Sequence, residues 1–230
     1  MMTLSNLYLR FIQFYDRNLK KKSSSLEQVL KANNQLRWLD FGSSSLISEG
    51  FHFADLYPAS EAAEKMKSKY FQFNMVTTGE SELKQLGKWD LVRMQHVFEH
   101  LTLEDGLIGL GKCWELLNEG GYLLITVPDL NIFINEYRNG TLHTMDSFKD
   151  WALTRIPKDA PESFYFSIFT HSVLHQQHVW CYDEEGLIYQ LNRTGKFKNI
   201  RRLSVFHPLA RIPFTHNRPL EDLCILAQKA

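Results

Sequence analysis

The stretch Lys88–Leu130, KWDLVRMQHVFEHLTLEDGLIGLGKCWELLNEGGYLLITVPDL, decides the fold. WDLVRMQ is a short apolar run of the kind that forms a buried strand, and YLLITVPD is a second, more strongly apolar one. Between them LEDGLIGLGKCWELLNEGG carries apolar residues at helical spacing, which predicts a helix closed by its glycines. A strand, a helix and a strand in that order form a crossover unit, and such units build parallel sheets.

The same rhythm extends upstream. LRWLDFG (36–42) and GFHFADLYP (50–58) read as strands, the second ending at Asp55 and stopped by Pro58. SEAAEKMKSKY (60–70) predicts a helix, YFQFNM (70–75) a strand and SELKQLG (81–87) a short helix. Alternation from Leu36 to Asp129 predicts a parallel sheet covered on both faces. Downstream, NIFINEYRNG (131–140) and DEEGLIYQLNRTG (183–195) predict helices, and FKNIRRLSVF and DLCILAQKA the final strands. The section at about 131–182 is rich in aromatics and histidine and lacks the rhythm, so it is expected to cover one sheet edge as a lid. Residues 1–34 predict a helical segment packed on the main domain, which occupies 35–230.

Composition sets the broad class. The 230 residues suit one large domain, and a chain of this size buries roughly 70–75% of its unfolded surface. Lys plus Arg equals Asp plus Glu at 26 each, so no net field draws the chain to nucleic acid or to a membrane. Lys20-Lys21-Lys22 followed by Ser23-Ser24-Ser25 reads as a solvated link. Three cysteines without metal-like spacing indicate a reducing compartment. The N-terminal apolar pattern is interrupted by Arg10, Gln13 and Asp16 and matches neither a spanning helix nor a leader with a cleavage site. A cytoplasmic location is the expectation.

HVFEH, His96–His100, has the H-x-x-E-H order of inverted zinc peptidases. In those enzymes both histidines lie on one helix and converge on one ion, whereas His96 follows a strand directly and no third ligand motif is evident. No metal is expected, and a zinc hydrolase is the weakest reading. Glu99 and His100 read as caps of the following helix or partners of a neighbouring loop. The carboxyl end of a strand is, however, where open parallel sheets bind ligands.

Taken together, HVFEHL (96–101), NEGG (118–121), VPD (127–129), HVWCYDEEGLIYQLNRTGKF (178–197) and HNRPLEDLCILAQKA (216–230) resemble class I S-adenosylmethionine-dependent methyltransferases. The likeness is to the bacterial group with HVLEHL, KPGG and VPD segments, and it covers about Leu36 to Ala230. It implies an α/β, Rossmann-like methyltransferase fold: a mostly parallel seven-stranded sheet, helices on both faces, and an antiparallel last strand. S-adenosyl-L-methionine is the implied cofactor. The implied cofactor residues are Asp40, Phe41, Gly42 and Ser43 after the first strand, Asp55 and Leu56 after the second, Asn74 and Met75 after the third, and Gln95 and His96 after the fourth. A glycine at 42 lets the backbone approach the methionine part, Asp55 suits ribose hydroxyls, and Met75 suits an adenine face. Two departures stand out: Gly42-Ser43-Ser44-Ser45 lacks the group's second glycine, and Asn74 replaces an aspartate.

For the acceptor side, the implied catalytic histidines are His96, His175 and His178, since a hydroxyl acceptor needs a base. His100, Asp129, Tyr137 and Tyr182 fall on the substrate side, while Trp180 reads as lid packing. The resemblance implies O-methylation of a small molecule or sugar in bacterial glycan or secondary-metabolite synthesis, with no nucleic-acid or membrane partner and a homodimer compatible with it. A degenerate, non-catalytic binding or scaffold protein on the same fold is the alternative, kept open by the Gly-Ser-Ser-Ser turn.

Overall fold

The computed structural model describes residues 37–42, 51–57, 70–149, 159–171, 178–211 and 218–230. The chain divides into two compact units, Met1–Leu36 and Arg37–Ala230. The helix expected over 1–34 and residues 60–69 of the one expected over 60–70 lie outside the described residues, as do Ser43 and His175, while Tyr70 begins a strand.

Seven strands form one sheet: β1 (Trp38–Phe41), β2 (Phe51–Asp55), β3 (Tyr70–Gln72), β4 (Trp89–Gln95), β5 (Leu117–Pro128), β6 (Phe197–Arg202) and β7 (Asp222–Lys229). Their order is β3-β2-β1-β4-β5-β7-β6. The β1–β2, β1–β4, β2–β3 and β4–β5 ladders are parallel, while β7 runs antiparallel to both β5 and β6. This is the mostly parallel sheet with an antiparallel last strand that the sequence led us to expect.

The period-two alternation of the strands sorts their side chains onto two faces. Leu39, Val92, Met94, Leu123, Ile125, Val127, Leu223 and Ile225 join one core, to which helices contribute Leu83, Leu86, Leu110, Cys113, Leu187 and Leu191. Phe51, Phe53, Leu91, Leu124, Cys224 and Leu226 form the core of the opposite face. Burial on both faces explains why β4, β5 and β7 read as almost unbroken apolar runs.

The helices on the first face are α1 (Glu80–Leu86), α2 (Leu103–Leu116) and, after the insertion, α6 (Glu184–Arg193). Thr102 caps α2, its hydroxyl accepting from Asp105 N at 3.1 Å, and Asp183 caps α6 by accepting from Gly186 N at 2.8 Å. Within the insertion lie α3 (Leu130–Asn139), α4 (Asp146–Lys149) and α5 (Glu162–His171). Phe133, Leu142, Met145, Phe148, Tyr165 and Phe169 pack there into a separate apolar cluster. Among the described residues no helix is long and apolar enough to cross a membrane.

Two elements differ from expectation. The glycines at 120 and 121 do not close α2: the helix stops at Leu116 and the chain is already extended at Leu117, which pairs with Trp89. Asn118–Gly121 is an irregular part of β5, accompanied by a register shift between Trp89 and Leu91. A Cβ on Gly121 would stand 3.0 Å from Asn118 O and 3.2 Å from Asp90 O, so the glycine serves a tight strand crossing. β3 is also shorter than YFQFNM suggested, because Asn74 turns the chain: its Oδ1 accepts from Val76 N at 2.8 Å and Thr77 N at 2.9 Å.

Candidate functional site

Parallel pairing aligns the strand ends. Phe41 pairs with Ala54 and Asp55 with Gln72, so Gly42, Asp55 and Asn74 follow one another across the carboxyl edge of the sheet. Gly42 N donates to Ala54 O at 2.9 Å, and Phe73 N to Asp55 O at 2.7 Å. Gly42 has φ 68°, a region that L residues enter at a cost, and a Cβ there would lie 2.3 Å from Val97 Cγ2. The turn therefore needs glycine twice over, for conformation and for space. Asp55 is buried, with Oδ1 accepting from Tyr57 N at 3.3 Å, while its neighbours Leu56 and Tyr57 are 50% and 70% exposed. An acid flanked by exposed apolar side chains is a site where a ribose and a base can be bound and covered.

Three of the residues proposed to line this edge are engaged inside the protein. Asp40 lies on the second face of the sheet and forms a two-armed ion pair with fully buried Arg93, whose Nε donates to Oδ1 at 2.9 Å and whose Nη2 contacts Oδ2. Burial raises the Asp40 pKa against the opposing pull of Arg93. Phe41 is core and packs against Phe73 with the rings tilted, centroids 5.1 Å apart. Met75 is also core, filling the space left by Gly109, where a Cβ would meet its Sδ at 2.8 Å.

At the next strand end the chain turns sharply. His96 has φ 51°, the left-handed region that is unusual for a residue with a side chain, and its N–H donates to Thr126 O at 2.9 Å. Its imidazole lies between two buried carboxylates. Nδ1 is 3.0 Å from Glu99 Oε1, and Nε2 is 3.3 Å from Asp222 Oδ1. Burial alone would lower the His96 pKa, but the contacts with Asp222 and Glu99 overcome it and push it up to about 10. At neutral pH both ring nitrogens thus carry protons, and His96 presents a fixed positive charge instead of a lone pair. Burial raises the Glu99 pKa, but the bond to His96 and the nearby charges of His96, His100 and His178 hold it below the ordinary carboxylate value.

Glu99 and His100 sit in a 3₁₀ turn, Phe98–His100, ahead of α2. They do not cap that helix; Thr102 does. His178 approaches from the far end of the insertion. Val179 N and Trp180 N both donate to Glu99 O, at 2.9 and 3.0 Å, which pins this segment to the turn. His178 Nε2 is 3.9 Å from Glu99 Oε1, and the His100 and His178 rings are 5.1 Å apart. The Glu99 carboxylate, His100 and His178 each offer one ligand atom within 4.8 Å of the others. His96, tied to Asp222, is not in that group.

The remaining substrate-side residues are dispersed in role. Asp129 is buried, caps α3 by accepting from Asn131 N at 3.0 Å, and pairs with Arg202 at 2.8 Å. Tyr182 is buried against Phe98, ring centroids 5.3 Å apart. Tyr137 is 40% exposed and lies near Phe166. Trp180, expected to pack, is 44% exposed, because the main-chain bonds to Glu99 leave its ring outside. Asp222 escaped the sequence reading. Only the antiparallel insertion of β7 beside β5, pairing Asp222 with Pro128, brings an acid after HNRPLE to the end of β4.

No family model and no curated protein matches the chain in sequence. Solved structures match it in fold. A candidate O-methyltransferase from Nostoc punctiforme PCC 73102 superposes with a TM-score of 0.51 at 13% identity, over 92% of this chain and 56% of the other. The pyocyanin biosynthetic protein PhzM gives 0.50 at 12% identity, over 92% and 56%. An O-methyltransferase family protein from Burkholderia thailandensis gives 0.49 at 13% identity, over 100% and 63%. The chain thus spans 56% to 63% of the length of these neighbours. What it shares with the first two at such identities is the Rossmann-like methyltransferase fold.

Proposed function

We propose that the protein is an S-adenosylmethionine-dependent methyltransferase acting on a hydroxyl of a small molecule or sugar. One observation carries the reading: the glycine-only turn at Gly42 stands beside Asp55 and the exposed Leu56 on adjacent strand ends of a methyltransferase-type sheet. Gly42 lets main chain approach the methionine part, Asp55 accepts from the ribose hydroxyls, and Leu56 covers the base. When bound, the sulfonium cofactor supplies an already activated methyl group, so the chain's contribution is alignment and exclusion of water.

The acceptor side lies at the end of β4. His96, protonated between Glu99 and Asp222, holds the turn and both carboxylates in place. The acceptor hydroxyl sits over Glu99, His100 and His178; its oxygen gains the methyl as the carbon–sulfur bond breaks, and its proton leaves at this cluster. Calorimetry with S-adenosylhomocysteine on the full chain tests the cofactor half. Binding at one site, weakened at least tenfold in Asp55→Ala, is the expected result, and no heat at millimolar ligand overturns the reading in favour of a scaffold. Transfer of a labelled methyl group to a panel of sugar and phenolic hydroxyls tests the acceptor half.

A further inference from the structure

The Glu99–His100–His178 cluster has a property that methyl transfer does not require. Glu99 is 1% exposed, and one carboxylate oxygen, Oε1, is taken by His96. The other, Oε2, is buried and has no hydrogen-bond partner among the described residues. An ionised oxygen left so is costly unless a cation meets it. Two imidazoles stand beside this carboxylate, one on the same 3₁₀ turn and one brought across by the main-chain bonds of Val179 and Trp180 to Glu99 O.

We infer that Glu99, His100 and His178 bind one divalent first-row transition-metal ion. Ligand atoms bonded at about 2.0–2.1 Å to a tetrahedral ion stand roughly 3.4 Å apart. The three atoms here already lie within 4.8 Å of one another, and His178 Nε2 is 3.9 Å from Glu99 Oε1, so side-chain rotations of a fraction of an ångström to about 1 Å close the site. Two nitrogen donors and one carboxylate favour zinc over magnesium or calcium, which take oxygen shells. His96 supplies the outer-shell contact that orients a ligating carboxylate. Three protein ligands leave a coordination position open. If the proposed methyl transfer holds, that position suits the acceptor hydroxyl, but metal binding itself does not rest on the transfer.

The test is calorimetric titration of untagged, chelator-treated full-length protein with zinc chloride, without any methyl donor. One equivalent is expected to bind with micromolar or tighter affinity, with manganese weaker and magnesium weaker still. His100→Ala and His178→Ala are each expected to weaken zinc at least tenfold while the far-ultraviolet circular dichroism is unchanged. His143→Ala, which breaks a separate His143–Glu162 pair, is expected to leave zinc binding as it was. Absence of stoichiometric zinc, affinity undiminished in both site variants, or binding of magnesium in preference to zinc overturns the inference. Because no donor is present, a negative result here leaves the methyltransferase reading standing, and failure to bind S-adenosylhomocysteine leaves this one standing.

Discussion

Gly42 and Asp40 sit two residues apart at the end of β1, the second paired with Arg93 on β4, and obey different physics. Gly42→Ala forces a side chain into the left-handed region and into Val97, and is expected to cost about 1–3 kcal/mol and to weaken S-adenosylhomocysteine. Urea unfolding followed by circular dichroism, with calorimetry alongside, checks both parts. Asp40→Ala removes the carboxylate that neutralises a buried guanidinium, and a loss of about 3–5 kcal/mol is expected. Replacing the two together, Asp40→Leu with Arg93→Met, is expected to recover most of that loss, because Arg93 already lies 4.2 Å above the Phe51 ring in apolar surroundings. Equal costs for the single and double variants would remove the ion pair from the account. Gly42 was legible in the sequence because glycine after a strand has few other uses. The engagement of Asp40 was not, since a carboxylate beside Gly42 reads the same whether it faces a ligand or an arginine on the neighbouring strand.

Helix ends are fixed locally: Thr102 with Asp105, and Asp183 with Gly186, join residues three apart, although the sequence reading offered Glu99 and His100 as the cap of α2. Thr102→Ala is therefore expected to lower stability by about 1 kcal/mol, and Thr102→Ser to restore most of it, as read from melting temperatures. The strand Leu117–Pro128 shows where such locality ends. Asn-Glu-Gly-Gly looks like a helix stop, yet Leu117 is extended because Trp89 on β4 pairs with it. A partner from another strand outweighed the turn propensity, and nothing within the segment itself carries that information.

At the largest scale the strand–helix rhythm over 36–129 was enough to foretell the parallel part of the sheet, since each crossover is local. The antiparallel last strand came only from the family resemblance, and the site at the end of β4 depends on that late strand. β7 slots between β5 and β6 and delivers Asp222 to His96, a junction joining residues far apart in the chain. Burial on both sheet faces also reaches the thiols. It pushes Cys113 and Cys224 up to about 12, so at pH 8 their thiolate fraction is about 10⁻⁴. Half-buried Cys181 is expected to react first with a disulfide reagent, and the other two of the three cysteines only after denaturation. Two rapidly titrating thiols in the native protein would contradict this packing. Finally, Trp180 presents its indole to solvent while its main-chain N–H is bonded to Glu99 O, whereas Trp89 is fully buried and Trp38 and Trp114 are half-buried. The chain thereby carries an intrinsic emission probe at the rim of its candidate centre, one whose red-shifted component an occupant of that centre will quench or shift to the blue without any attached dye.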